Sequence, residues 1–144
     1  MLFRSVSRAL LAEITRHRHL SFSVLSQRFV DESDANIVIP PAARGSEKLT
    51  WEFENAATGA RHSYRELVEA LSDSGLTRKQ AREAARAVLP NMIETRIVVT
   101  GNLRAWHEVI ARRTAPDADA EFQQVAGMIR DELQKLAPEV FPEP

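Results

Sequence analysis

Apolar residues recur along this chain with two different spacings, and the changes of spacing mark out its elements. Ala9, Leu10, Leu11 and Ile14 have helical spacing behind Ser7, whose hydroxyl can cap a helix, and they predict a helix over about 8–16. Periodicity is lost over 31–46, where Pro40-Pro41 and Gly45 predict a loop with room for a short strand at Ile37-Val38-Ile39. Tyr64, Leu67, Val68 and Leu71 mark the later part of a long helix over about 48–72, which Ser74-Gly75 ends. Thr77-Arg78-Lys79-Gln80 has the form of a capping box and opens a helix that Pro90 closes, with Ala81, Ala84, Ala85 and Val88 as its apolar stripe. The β-branched run over 95–100 predicts a strand. Gly101 breaks it, and Asn102 caps a helix reaching about Arg113, with Leu103, Trp106, Val109 and Ile110 inward. A last helix over about 119–136 presents Phe122, Val125, Ala126, Ile129, Leu133 and Leu136.

Composition narrows the class. With 144 residues the chain is one domain, 1–144, long enough to bury a core. Its net charge of −1 argues against whole-surface attraction to a nucleic acid polymer or an anionic membrane. Yet the first thirty residues hold Arg4, Arg8, Arg16, Arg18 and Arg28 against Glu13 alone, so positive charge is focused. There is no cysteine, which excludes disulfides, a thiolate nucleophile and thiolate-bound metal, and fits a reducing cytoplasm. No apolar run approaches the ~18 residues of a membrane span, and no leader with a small-residue cleavage pattern is visible.

The chemistry concentrates in residues 16–28, Arg-His-Arg-His-Leu-Ser-Phe-Ser-Val-Leu-Ser-Gln-Arg. Guanidinium forks interleaved with hydroxyls suit phosphate oxygens, while a solvated arginine-rich turn is the plain alternative. His17-x-His19 without a third ligand is weak evidence for a metal, and none is expected. Lys79, Arg82 and Arg86 share one helix side, where a solvated face with Glu83 as internal partner explains them as well as a ligand does. Asn102 reads as a cap, and Arg112 and Arg113 complement a helix C-terminus. Trp51 and Trp106 read as core or interface aromatics. No Gly-rich phosphate loop, Ser-His-Asp order or paired-acid motif is present.

Arg16-His17-Arg18, then Ser21, Ser26 and Arg28, resemble the signature of the flavin-dependent thymidylate synthases (the ThyX family). The resemblance continues through Pro40-Pro41, Lys79 to Arg82, Ala85 to Pro90, Thr95-Arg96, Gly101 to Trp106 and Arg113. It implies an α/β (α+β) fold, mostly helical with a small incomplete sheet, and matches the C-terminal part of a longer family pattern. It also implies methylation of dUMP to dTMP, with methylenetetrahydrofolate as carbon donor and NADPH as reductant through bound FAD. By matching position, Arg16, His17 and Arg18 would contact FAD, with Asn102 and Arg104 assisting. Leu25, Ser26, Gln27 and Arg28 would cradle dUMP, Ser26 and Arg28 at its phosphate. Arg86 and Lys79 would add charge from a neighbouring subunit of a homotetramer with shared active sites, and Arg113 would be the catalytic residue, polarising the uracil. Val24, Glu108 and Asp117 depart from the pattern, where Glu or Gln, an amide or imidazole, and a histidine are usual. These departures and the absent N-terminal segment keep a second reading open, a non-catalytic nucleotide-binding or oligomerising remnant. A nucleic-acid-binding module rests on arginine density alone.

Overall fold

A computed structural model describes residues 1–142. Strand β3 (Glu94–Thr100) lies in the middle of a three-stranded antiparallel sheet, with β1 (Leu2–Ser7) on one side and β2 (Ser21–Val24) on the other. Its inward residues Thr95, Ile97 and Val99 are buried and alternate with exposed Arg96, Val98 and Thr100, as a strand with one covered face requires. The strand expected at 95–100 is therefore present and one residue longer. Its partners escape the pattern because each is short and half exposed.

Strand β1 keeps its apolar side inward by a bulge. Phe3 pairs with Ile97 and Val6 with Thr95, so Arg4 and Ser5 together face Arg96, and Ser5 takes the left-handed conformation at φ 56°. The bulge shifts the alternation by one residue and lets both Phe3 and Val6 reach the core.

Helix α1 (Arg8–Ile14) follows directly, capped by the Ser7 hydroxyl, which accepts from the Leu10 N–H at 3.0 Å. It stops two residues short of Arg16, so the basic segment begins in the turn after the helix. Helices α4 (Leu103–Arg113) and α5 (Ala120–Leu136) cover the same sheet face, capped by Asn102 and Asp119. The core joins Val6, Leu10, Ile14, Leu20, Ile97 and Val99 to Trp106, Val109, Phe122 and Ile129. Truncating a fully buried member such as Leu10 to Ala costs about 2–5 kcal/mol. Two expected inward residues lie outside this core: Leu103 sits in the first turn of α4 and Leu136 at the end of α5, past the elements that could cover them.

Helix α2 (Glu47–Asp73) spans 27 residues and packs on α3 (Arg78–Ala85), whose predicted capping box is formed between Thr77 and Gln80. Gly75 adopts φ 94° just beyond α2, the conformation that ends a helix and that a side chain disfavours. A single 3-10 turn, Arg86–Val88, carries the chain to Pro90. Of the α3 stripe only Ala81 and Ala85 are buried, while Ala84 and Val88 are exposed, because α2 covers a narrow strip. Trp106 is a core residue, whereas Trp51 on α2 is 57% exposed. The short strand allowed at 37–39 is a single bridge, Ile37 to Ile93, in a loop that otherwise holds only the 3-10 turn Pro41–Ala43.

Candidate functional site

The basic segment divides into a turn, strand β2 and a second turn, and its two ends face different elements. At the first end, antiparallel pairing of β2 with β3 sets Ser21 opposite Thr100, and the chain after β3 returns as α4. Arg16, His17, Arg18 and His19 thereby line a cavity of about 240 Å³ with Ala105, Glu108, Val109 and Arg112. Arg16, His17 and Arg112 also line a second, of about 600 Å³, with Arg113 and Asp117. Arg16, Arg18 and Arg112 have no carboxylate ion pair among the described residues, so their donors are available to an anion.

Arg113 is held differently. Its Nε donates to His17 Nε2 at 3.0 Å, its Nη1 donates to Glu13 Oε2 at 2.9 Å, and its guanidinium lies 4.7 Å from the centre of the Phe122 ring. The His17 ring meets Phe122 edge-on at 5.9 Å. Burial, with the Arg113 and Arg112 charges, pushes the His17 imidazole below its ordinary value, against the pull of Glu13 and Glu108. A neutral His17 is also what a hydrogen bond accepted at Nε2 demands.

The second end is a tight turn in which the Ser26 carbonyl accepts from the N–H groups of Phe29 and Val30, both at 3.1 Å. Arg28 and Lys79 approach the same Phe29 ring, at 5.5 and 5.9 Å, so residues 51 positions apart meet within one chain. Glu83, read as an internal partner of its own helix face, instead approaches Arg28 at 3.9 Å. Arg82 serves the scaffold: it donates to the Phe29 carbonyl at 2.9 Å and to Asp31 at 2.8 Å, strapping the turn to α3. Leu25 is partly exposed at the end of β2, and its N–H donates to the Arg96 carbonyl at 3.0 Å. Gln27 is only 5% exposed, and its amide nitrogen, without a close hydrogen-bond partner, faces the buried Glu32 carboxyl and helps to hold it down.

Asn102 and Arg104 lie at the start of α4, one on either side of Leu103 and just ahead of Ala105 at the smaller cavity. The Asn102 side-chain oxygen accepts from the Ala105 N–H at 2.9 Å, so its cap role is established and only its amide nitrogen is spare. Arg86 lies near Arg8, whose guanidinium burial pulls below its ordinary value, Glu32 opposing and Arg86 adding to the effect. Glu32 is buried, which raises its carboxyl against the attraction of Arg8.

Three residues of this neighbourhood escape a reading of the sequence. Glu13 carried a signal, because a carboxylate in the last turn of a helix opposes the helix dipole and calls for a cationic partner. Arg112 was hidden by the opposite fact: at a helix C-terminus it needs no other explanation. Phe122 belongs to an ordinary core stripe, and its second role as a seat for Arg113 depends on tertiary contact.

Fold and site together define an α+β protein in which a helix–turn–strand segment, rather than a glycine-rich loop, presents a cluster of cations. Over residues 1–139 the chain matches the family model Thy1, described as "Thymidylate synthase complementing protein", and it belongs to that family. It is 47% identical over 143 residues to a flavin-dependent thymidylate synthase of Mycobacteroides abscessus, a match covering 94% of this chain and 57% of that protein. It is 47% identical over 140 residues to a probable flavin-dependent thymidylate synthase of Mycobacterium phage L5, covering 94% and 58%. The chain thus spans less than two thirds of the length of these relatives. The fold matches a crystal structure of the flavin-dependent thymidylate synthase ThyX from Helicobacter pylori complexed with FAD and dUMP. That match has a TM-score of 0.72 at 21% identity and covers 98% of this chain and 70% of the other.

Proposed function

We propose that this chain carries the dUMP- and flavin-facing half of a flavin-dependent thymidylate synthase, methylating dUMP to dTMP with methylenetetrahydrofolate and NADPH through bound FAD. The observation that carries the proposal is the meeting of Arg16, His17, Arg112 and Arg113 on one cavity, from two ends of a chain whose relatives bear that activity in their names. The chain would act as one domain, in the cytoplasm, within a homotetramer whose subunits share sites.

The residues fit an FAD pyrophosphate, since three unpaired guanidiniums on one cavity are the donor set two phosphates require. When bound, the flavin supplies the hydride chemistry. Arg16, His17 and Arg18 would hold it, with the Asn102 amide nitrogen and Arg104 adding donors from α4. At the other end, Ser26 and Arg28 would take the dUMP phosphate, Leu25 and the Gln27 amide its remaining edges, with Lys79 and Arg86 adding charge. Arg113 would donate to the uracil and stabilise negative charge developing on the ring, an electrostatic role suited to a guanidinium already fixed in place. Glu108 and Asp117 line the same cavities and oppose anionic groups there, so affinity for FAD should rise in Glu108→Gln.

The test is calorimetry of the purified chain with dUMP and with FAD, followed by NADPH-dependent dTMP formation. Binding of both ligands, with dUMP lost in Arg28→Ala and FAD lost in Arg18→Ala, is the expected result. No binding of dUMP at millimolar ligand overturns the proposal.

A further inference from the structure

Glu13 belongs to none of the roles above, yet among the described residues it makes the one ion pair to an arginine that lines these cavities. Its carboxylate takes Arg113 Nη1 at 2.9 Å, and His17 takes Arg113 Nε at 3.0 Å, so two of the three guanidinium nitrogens are held. Phe122 closes one face of the guanidinium at 4.7 Å and meets the His17 ring at 5.9 Å. Donor accounting then fixes what remains for the cavity that both Arg113 and His17 line. Arg113 keeps the two Nη2 hydrogens and one on Nη1. His17, accepting at Nε2, carries its only proton on Nδ1.

We infer that Glu13 and His17 are positioning residues that clamp Arg113, so that its Nη2 hydrogens are presented in a fixed direction to a ring carbonyl, while the His17 Nδ1–H faces away from Arg113. This deepens the proposed function and rests on it for the identity of the ring, the uracil of dUMP. The clamp itself rests on geometry within the free chain. The groups facing His17 are Arg112, Arg113 and Glu108 from α4 and Glu13 from α1, with Asp117 at the neighbouring cavity wall and the uncharged Phe122 from α5. Removing Arg113 takes away a charge that disfavours the imidazolium, whereas removing Glu13 takes away one that favours it. The two substitutions must therefore move His17 in opposite directions, which a general loosening of the fold does not do.

Two measurements test the clamp. Long-range nitrogen–proton spectra of histidine-labelled protein at pH 7 should show His17 with Nδ1 protonated and Nε2 bare. Its titration midpoint should move up in Arg113→Met and down in Glu13→Gln. Calorimetry with dUMP should show affinity falling on the order of tenfold in Glu13→Ala, the scale of a lost charge-assisted hydrogen bond, and partly recovering in Glu13→Gln. A His17 protonated on Nε2, shifts of the same sign, or unchanged affinity in Glu13→Ala each overturn the inference. If the wild-type chain binds no dUMP, the proposed function falls, and the spectra alone then decide the clamp.

Discussion

Arg28 and Arg113 carry the same charge in different settings, and the settings separate their roles. Arg28 meets Glu83 at 3.9 Å with both side chains well exposed, a pair worth less than about 1 kcal/mol. Arg28→Ala should therefore leave the denaturation midpoint almost unchanged while reducing dUMP affinity at least tenfold, on the scale of one charge-assisted bond to phosphate. A parallel loss of stability and affinity would show that Arg28 is structural. Arg113 has an acceptor on each of two nitrogens and an aromatic ring beneath it, so Arg113→Ala should lower both thermal stability and turnover. Both arginines were visible as candidates in the sequence. Their difference was not, because Glu13, Phe122 and Glu83 reach them only through packing.

Among the elements, the end signals of the sequence were dependable. Ser7, Thr77 and Asn102 cap α1, α3 and α4 as their positions implied. Ser7 does more, since its N–H and hydroxyl both donate to the Glu121 carboxylate, at 2.8 and 2.5 Å, tying α1 to α5. Ser7→Ala loses the cap and leaves Glu121 one donor short. It should cost about 1–2 kcal/mol in urea melts, whereas a cost below a few tenths would show that the tie to α5 is incidental. Gly101 marks the break between β3 and α4 for a steric reason: a Cβ there would lie 2.3 Å from Leu20 Cδ2 and 3.4 Å from Trp106 Nε1. Leu20 is itself buried, so it yields little, and Gly101→Ala should destabilise by about 1–3 kcal/mol by overpacking. Strands β1 and β2 had no comparable signal. A bulge disrupts the alternation of β1, and β2 lies inside a segment whose arginines and serines obscure its short Phe22–Val24 repeat.

For the whole molecule, pH sums these local environments. His17 lies below its ordinary value, so the fold favours its neutral form; that stability is complete above pH 6.5 and drains away as pH falls below it. Burial lifts the Asp31 carboxyl, but hydrogen bonds from Ser33 and Arg82 outweigh this and leave it below its ordinary value, so its contribution disappears only under stronger acid. Glu32 runs the other way, since burial raises its carboxyl and the fold gains as that group protonates. Between pH 7 and 5.5 the His17 effect comes first, and the free energy of unfolding should decline. His17→Gln should flatten that decline in guanidinium titrations; an unchanged slope would place its origin elsewhere.

By itself the sequence determined the helices, the caps at Ser7, Thr77 and Asn102, the central strand, the arginine-rich signature and the family it resembles, because each depends on neighbours a few residues away or on a fixed order of residues. Tertiary structure decided the rest. It set the two outer strands, the strapping of the Phe29 turn by Arg82, the solvent exposure of Trp51, and the capture of Arg113 by Glu13, His17 and Phe122. Those features join residues on different elements, 51 positions apart in the Arg82–Asp31 strap and 100 in the Arg113–Glu13 pair, or depend on which surfaces remain uncovered. Local spacing records which side chains share a face. Only the closed chain brings charge, ring and carboxylate within 3 to 5 Å, where hydrogen-bond geometry and burial set their chemistry.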